Sequence, residues 1–158
     1  MTDMLVKLYD LPAQPPSPPE NTIIRRALAT ERPTVVRWVR WHFGAGWAAE
    51  CETAFVRMPL SGFIALRGKQ LVGFCVYDCT ARGMLGPIGV AAPQQRRGIG
   101  RALLLAVLED MRANGYAYAV VGWVDEQTFF QRVAGATPIP DSDPGLYRGM
   151  LIEDWRMT

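Results

Sequence analysis

The stretch Pro93–Leu108, PQQRRGIGRALLLAVL, opens with glutamines, arginines and glycines and closes as an aliphatic run. Glycines leave backbone N–H groups accessible, and a helix starting there sets those donors at its positive end. Such a turn suits an anion, phosphate above all. Spacing narrows which phosphate. A P-loop requires Gly-Lys followed by Ser or Thr, where this chain has Gly98-Ile99-Gly100-Arg101-Ala102. A dinucleotide fingerprint requires a third glycine where Leu103 stands. What fits is Gln95-x-x-Gly98-x-Gly100. Metal chemistry has little to work with, because His42 is the only histidine and Cys75 and Cys79, expected on one face of a strand, lack further ligands. Neither cysteine has a base beside it in sequence that would make it a nucleophile.

The elements around the turn follow from periodicity. TIIRRA reads as a strand, and Thr30 offers an N-cap before a helix from about Glu31 to His42, with Pro33 in its first turn. GWAAECETAFVRM has Trp47, Cys51, Ala54 and Phe55 at helical spacing. GFIALRG and QLVGFCVYDCT are β-branched and aromatic-rich, separated by Gly68 and Lys69, and predict a hairpin. GMLGPIGVA is a third strand leading into the turn. The aliphatic run is a helix to about Arg112, stopped by Asn114 and Gly115, with Leu103, Leu104 and Val107 on its core face. YAYAVVGWV is the next strand. A short helix near Glu126–Val133 and two weaker extended pieces, ATPIP and LYRGMLI, follow. Short-linked strands pair antiparallel and a helical crossover demands parallel pairing, so the class is α/β.

Composition removes other classes. The 158 residues suit one domain, 1–158, with an N-terminal strand-like extension over 1–20 that holds the proline-rich connector LPAQPPSPPE. A formal charge of +2 argues against a nucleic-acid partner. Three cysteines are an odd count for a disulfide scaffold and read as reduced thiols in a cytoplasmic protein. The start, MTDMLVKLYDL, lacks a basic region before a long apolar run, and no later run approaches a membrane span.

The Gln95-x-x-Gly98-x-Gly100 spacing, entered from a strand and left as a helix, resembles the acetyl-CoA-binding motif of the GNAT superfamily of N-acyltransferases. GPIGVAAPQQRRGIGRALLLAVLEDMRANGYAYAVVGW is similar to that superfamily's strand, turn, helix and next strand, and the element order fits from Asn21 onward. The resemblance implies an α/β (α+β) fold: a central mixed, mostly antiparallel sheet flanked by helices and splayed between the strand before the turn and the next one. It implies acetyl-CoA as acyl donor, and no metal. Gln95 heads the motif, and the N–H groups of Arg96, Arg97, Gly98, Ile99, Gly100, Arg101 and Ala102 would hold the pyrophosphate, with the three arginines adding charge. Ile88, Gly89 and Val90 would bond the pantetheine arm.

Many superfamily members carry a tyrosine in the helix after the fifth strand, where it protonates the leaving thiolate. Here the matching string is FFQRVAGA, and Phe130 stands in that place. Tyr147, Tyr118 and Tyr77 are the alternative donors. Relatives that draw their base from the strand before the turn have a glutamate where this chain has Met84 and Leu85. Glu50, Asp78, Asp125 and Glu126 are the remaining carboxylate candidates. In VRWVRWHFGAGW, the residues Trp38, Trp41, Phe43 and Trp47 are candidates to line the acceptor pocket, and such walls suit an amine with an apolar or cyclic body. His42 reads as a structural residue at a helix end.

The expectation is an N-acetyltransferase that acylates a primary amine of a small molecule or peptide by direct attack. The alternative is an acyl-CoA-binding sensor or interaction module without efficient chemistry, motivated by Phe130. A homodimer paired through the final extended pieces is compatible with either.

Overall fold

The computed structural model describes residues 1–11 and 17–151. Part of the proline-rich connector, residues 12–16, and the end of LYRGMLI lie outside the described residues. One seven-stranded sheet organises the chain, in the spatial order β2-β3-β4-β5-β6-β1-β7. The strands are β1 (Thr2–Lys7), β2 (Thr22–Arg26), β3 (Gly62–Arg67), β4 (Gln70–Tyr77), β5 (Met84–Val90), β6 (Tyr118–Val124) and β7 (Thr137–Pro138). Helices α1 (Arg32–Phe43), α2 (Ala45–Thr53), α3 (Ile99–Ala113) and α4 (Gln127–Ala134) complete the fold. No helix among the described residues is long and apolar enough to cross a membrane.

Alternation along β4 distributes the core to both faces of the sheet. Phe74 and Val76 pack with Val35, Val39, Ala48 and Cys51 under α1 and α2, while Cys75 and Tyr77 join Leu103, Leu104, Val107 and Leu108 under α3. Those α3 residues are essentially inaccessible, so about 1.5–3 kcal/mol of transfer free energy per large side chain fixes where the helix starts. At its other end Asn114 caps α3 and Gly115 turns the chain at φ +92°. Gly68 supplies φ +59° for the two-residue loop between Arg67 and Gln70.

All strand pairs are antiparallel except β5 with β6. That pair is parallel and brief, joining Met84 to Val120 and Leu85 to Val121. Beyond Leu85 no further pairing joins the two strands.

The strand expected in the N-terminal extension is β1, which lies inside the sheet between β6 and β7. Three sequence expectations are corrected. Of the two final extended pieces, ATPIP contributes the two-residue β7, but residues 145–147 of LYRGMLI form a 3-10 turn. Cys75 and Cys79 do not share a face: β4 ends at Tyr77, Asp78 takes φ +56°, and Cys79 packs toward α1 and α2. Thr30 falls in a 3-10 turn and does not cap α1. The Glu31 carboxylate instead accepts the Leu28 N–H at 2.8 Å and pairs with Arg25.

Candidate functional site

The turn after β5 is built to expose donors. Gln95 Nε2 donates to the Val90 carbonyl at 3.1 Å, folding the turn back on the strand end. Arg96 (φ +59°) and Gly98 (φ +83°) both take left-handed conformations before α3 begins. The backbone N–H groups of Arg96 through Arg101 have no hydrogen-bond acceptor among the described residues. Ala102 departs from the expected set, because its N–H already donates to the Gly98 carbonyl at 3.1 Å as the first helical bond. Arg96, Arg97 and Arg101 are exposed, and none is in an ion pair among the described residues. Six free N–H groups, a helix dipole and three unpaired guanidinium groups are the donor set that a phosphate would require.

Ile88, Gly89 and Val90 pair with β4 on one side, while the β6-facing edge of β5 is free from Gly86 onward. An extended arm carrying amides can bond to such an edge as an added strand does. Gly89 has a packing reason as well, since a Cβ there would lie 2.6 Å from Phe43 Cζ.

Where β5 and β6 part, a cavity of about 650 Å³ opens. Its walls include Leu85 and Ile88 of β5, Val121 and Trp123 of β6, Trp47 and Glu50 of α2, and Phe130 of α4. Gly122 keeps it open, because a Cβ at that position would collide with Met84 Cε and sit 3.5 Å from the Tyr147 hydroxyl. Glu50 Oε1 accepts the Thr80 hydroxyl at 2.5 Å, and its second oxygen has no partner among the described residues. Tyr147 stacks on Trp123 with ring centroids 4.7 Å apart and planes 23° from parallel. Burial, then the Glu50 carboxylate, raises the Tyr147 pKa above the usual phenol value, against the pull of the Thr80 hydroxyl.

The candidates therefore separate. Glu50, Asp125, Tyr147, Trp47 and Phe130 meet at one cavity. Glu126 also lines it, but its carboxylate accepts the Thr128 N–H at 3.2 Å and caps α4. Asp78 does not line this cavity. It is buried, accepts the Gly83 N–H at 2.6 Å and the Tyr116 hydroxyl, and has Arg57 at 3.6 Å. It stakes down the β4–β5 turn that carries Thr80. Tyr77 is committed to Asp110 at 2.7 Å under α3, and Tyr118 meets Tyr9 at an exposed edge, so neither serves the cavity. Trp41 is 85% exposed and lines nothing, because it lies two residues past the buried Val39, roughly 160° around the helix. Phe43 stands one ring behind Trp47 at 5.0 Å, and Trp38 one ring behind Phe43 at 5.8 Å. His42 packs on Trp38 at 4.5 Å, as a structural residue would.

Thr80, Trp123 and Gly122 line the cavity and were missed by the sequence reading. Only Gly122 left a signal there, since a glycine inside a strand pattern marks a bulge or a close approach. Among the described residues no group of three or more His, Cys, Asp or Glu is placed to hold a metal ion.

The comparisons with known proteins agree with this architecture. The model described as Acetyltransferase (GNAT) family matches residues 23–135, from β2 through α4. The chain belongs to that family. Similar solved folds include the glucosamine N-acetyltransferase region of a fungal multi-domain GH3 β-N-acetylglucosaminidase, with a TM-score of 0.71 and 14% identity over 87% of this chain and 19% of that one. A GCN5-related N-acetyltransferase from Sphaerobacter thermophilus gives 0.65 and 22% over 87% of this chain and 48% of that one. An aminoglycoside acetyltransferase from an uncultured soil metagenomic sample gives 0.54 and 17% over 72% and 87%. At these identities the likeness is one of fold, and this chain spans less than half the length of the first two structures. Among curated proteins there is no match.

Proposed function

We propose that this chain, as one acyltransferase domain that includes β1, transfers an acetyl group from acetyl-CoA to a primary amine by direct attack. The observation that carries the reading is the run of unpaired N–H groups from Arg96 to Arg101, reached directly from the strand whose free edge borders the cavity. Acetyl-CoA supplies the activated acyl group as a thioester. The turn holds its diphosphate, the arginines add attraction, and the free edge of β5 orients the amide-bearing arm. The unpartnered oxygen of Glu50 takes a proton from the bound ammonium so that the neutral amine attacks the thioester, and Thr80 keeps that carboxylate oriented. Tyr147, held protonated at neutral pH, is the donor to the leaving thiolate, a task that Phe130 has no hydroxyl to perform. Three free thiols fit a reducing, cytoplasmic setting.

Calorimetric titration with acetyl-CoA tests the reading. Wild-type protein should bind saturably, and a Gly98→Trp, Gly100→Trp double variant verified as folded should not. Because Gly98 sits at φ +83°, the exposed pair Arg97→Glu and Arg101→Glu provides a second variant less prone to misfold. It should lose about tenfold or more in affinity, and more at low salt than at high. Saturable acetyl-CoA binding with no transfer to any amine would favour the sensor module instead.

A further inference from the structure

We propose that the acceptor is a monoamine with an aromatic or otherwise apolar body and no carboxylate, its ammonium held by Glu50 and its body lodged between Trp47 and the Trp123–Tyr147 pair. The inference rests on the acyl-transfer reading above and adds a substrate class to it.

Charge carries the first half of the argument. The chain as a whole is +2, yet among the described residues the ionisable carboxyl side chains of the cavity are Glu50, Asp125 and Glu126, and no described lysine or arginine lines it. Among the described residues the cation at its rim is the Met1 amino group, which faces Asp143 at 3.5 Å. An ammonium entering this field meets Glu50 through its free oxygen in a charge-assisted hydrogen bond. A carboxylate on the same molecule would meet like charges with no donor cation to receive it, and like-charge juxtaposition is strongly disfavoured.

The walls carry the second half. Trp123 and Tyr147 lie nearly parallel, and Trp47 is backed by Phe43 at 25° from parallel, so two flat aromatic surfaces border the space. Leu85, Ile88, Val121 and Phe130 fill the rest of the lining with hydrocarbon. The cavity of about 650 Å³ must also admit the acyl arm along β5, and the space left beside that arm rewards one ring or alkyl body. It penalises a polycation, whose second and third ammonium groups would be desolvated against apolar surface.

Three probes separate the classes: 2-phenylethylamine, phenylalanine as the same body with a carboxylate, and kanamycin as a polycation. With acetyl-CoA, kcat/KM for 2-phenylethylamine should exceed that for each of the others by about a hundredfold. Without any acyl donor, 2-phenylethylamine alone should shift the tryptophan emission, and Glu50→Gln should weaken that binding about tenfold. Transfer that favours phenylalanine or kanamycin overturns the class and leaves the acyl-transfer reading standing. Acetyl-CoA binding with neither binding nor acetylation of 2-phenylethylamine overturns the class as well. Failure of acetyl-CoA to bind overturns the acyl-transfer reading and this proposal together.

Discussion

The Asp3 carboxylate accepts the backbone N–H of Trp123 at 2.8 Å. The register of β1 on β6 passes from Thr2 opposite Val124 to Met4 opposite Val121, so the single residue Asp3 faces both Gly122 and Trp123. This is a β-bulge, and Trp123 occupies a left-handed φ of +54° that a side-chain-bearing residue adopts only under constraint. The bulge aims the indole at Tyr147, and Trp123 Nε1 donates to Asp143 at 3.4 Å. The N-terminal strand thereby shapes the wall of the cavity.

Removing that acceptor is the first prediction. Asp3→Ala should cost about 1–2 kcal/mol in urea denaturation and raise the amine KM more than it lowers kcat. Asp3→Asn retains a carbonyl oxygen at the position and should preserve most of both. An Asp3→Ala protein with unchanged amine KM would show that other contacts hold the bulge.

The proton donor can be moved within the cavity. Tyr147→Phe should reduce kcat about 10–100-fold with little change in acetyl-CoA affinity. Phe130 is buried and lines the same cavity, so Phe130→Tyr places a second hydroxyl there and should raise turnover with a good amine. Combined with Tyr147→Phe, it should restore part of the lost rate. Single-turnover measurement of free thiol reads each case directly, and unaltered rates in all three variants would remove the acid role from both positions.

Asp78 should behave as a structural carboxylate. Asp78→Ala leaves the half-buried Gly83 N–H without its acceptor and strips the Tyr116 hydroxyl of its partner, a loss of roughly 2–4 kcal/mol in folding free energy. Thr80→Val should leave stability nearly intact and lower kcat, because it frees Glu50 without disturbing the turn. Comparable activity losses at equal stability for the two variants would mean that Asp78 takes part in the chemistry after all.

The elements flanking the glycine turn were legible because local rules govern them. An aliphatic stripe needs a helix, Asn114-Gly115 ends it, and Gly68-Lys69 closes a hairpin. The exposed N–H groups of the turn were legible for the same reason, up to Arg101. The cavity was less so. Glu50 and Tyr147 were two names among several candidates, and nothing local distinguishes Glu50 from Asp78, whose partners Gly83 and Tyr116 come from other segments. Trp41 was misplaced because three-residue spacing from Trp38 does not reveal which arc of the helix Val35 and Val39 turn inward. The Asp3–Trp123 bond joins residues 120 positions apart, so only the sheet topology shows it.

Alkali should unfold the protein from the thiol range upward. Burial raises Cys51 to about 12 and Cys79 to about 11, and holds Cys75 well above the ordinary thiol value of 9.0. A group whose pKa is raised by folding contributes stability that is whole below its unfolded value and is lost as pH climbs toward the folded one. More than about a unit below 9.0 the three thiols are protonated in both states and pH has little leverage through them. Above it the unfolded chain sheds protons that the fold retains, and stability falls. The phenols of Tyr77, Tyr116 and Tyr147, also raised, add to the slope once pH passes their ordinary value of 10.0. Urea midpoints under reducing conditions should therefore be level from about pH 7 to 8 and decline steeply by about pH 10.5. Replacing the three cysteines by alanine should lower the midpoint at neutral pH by opening small cavities and flatten the early part of that decline. A wild-type midpoint that stays level through the thiol range would mean that water reaches these sulfurs, and that the core under α2 and β4 is looser than their burial indicates.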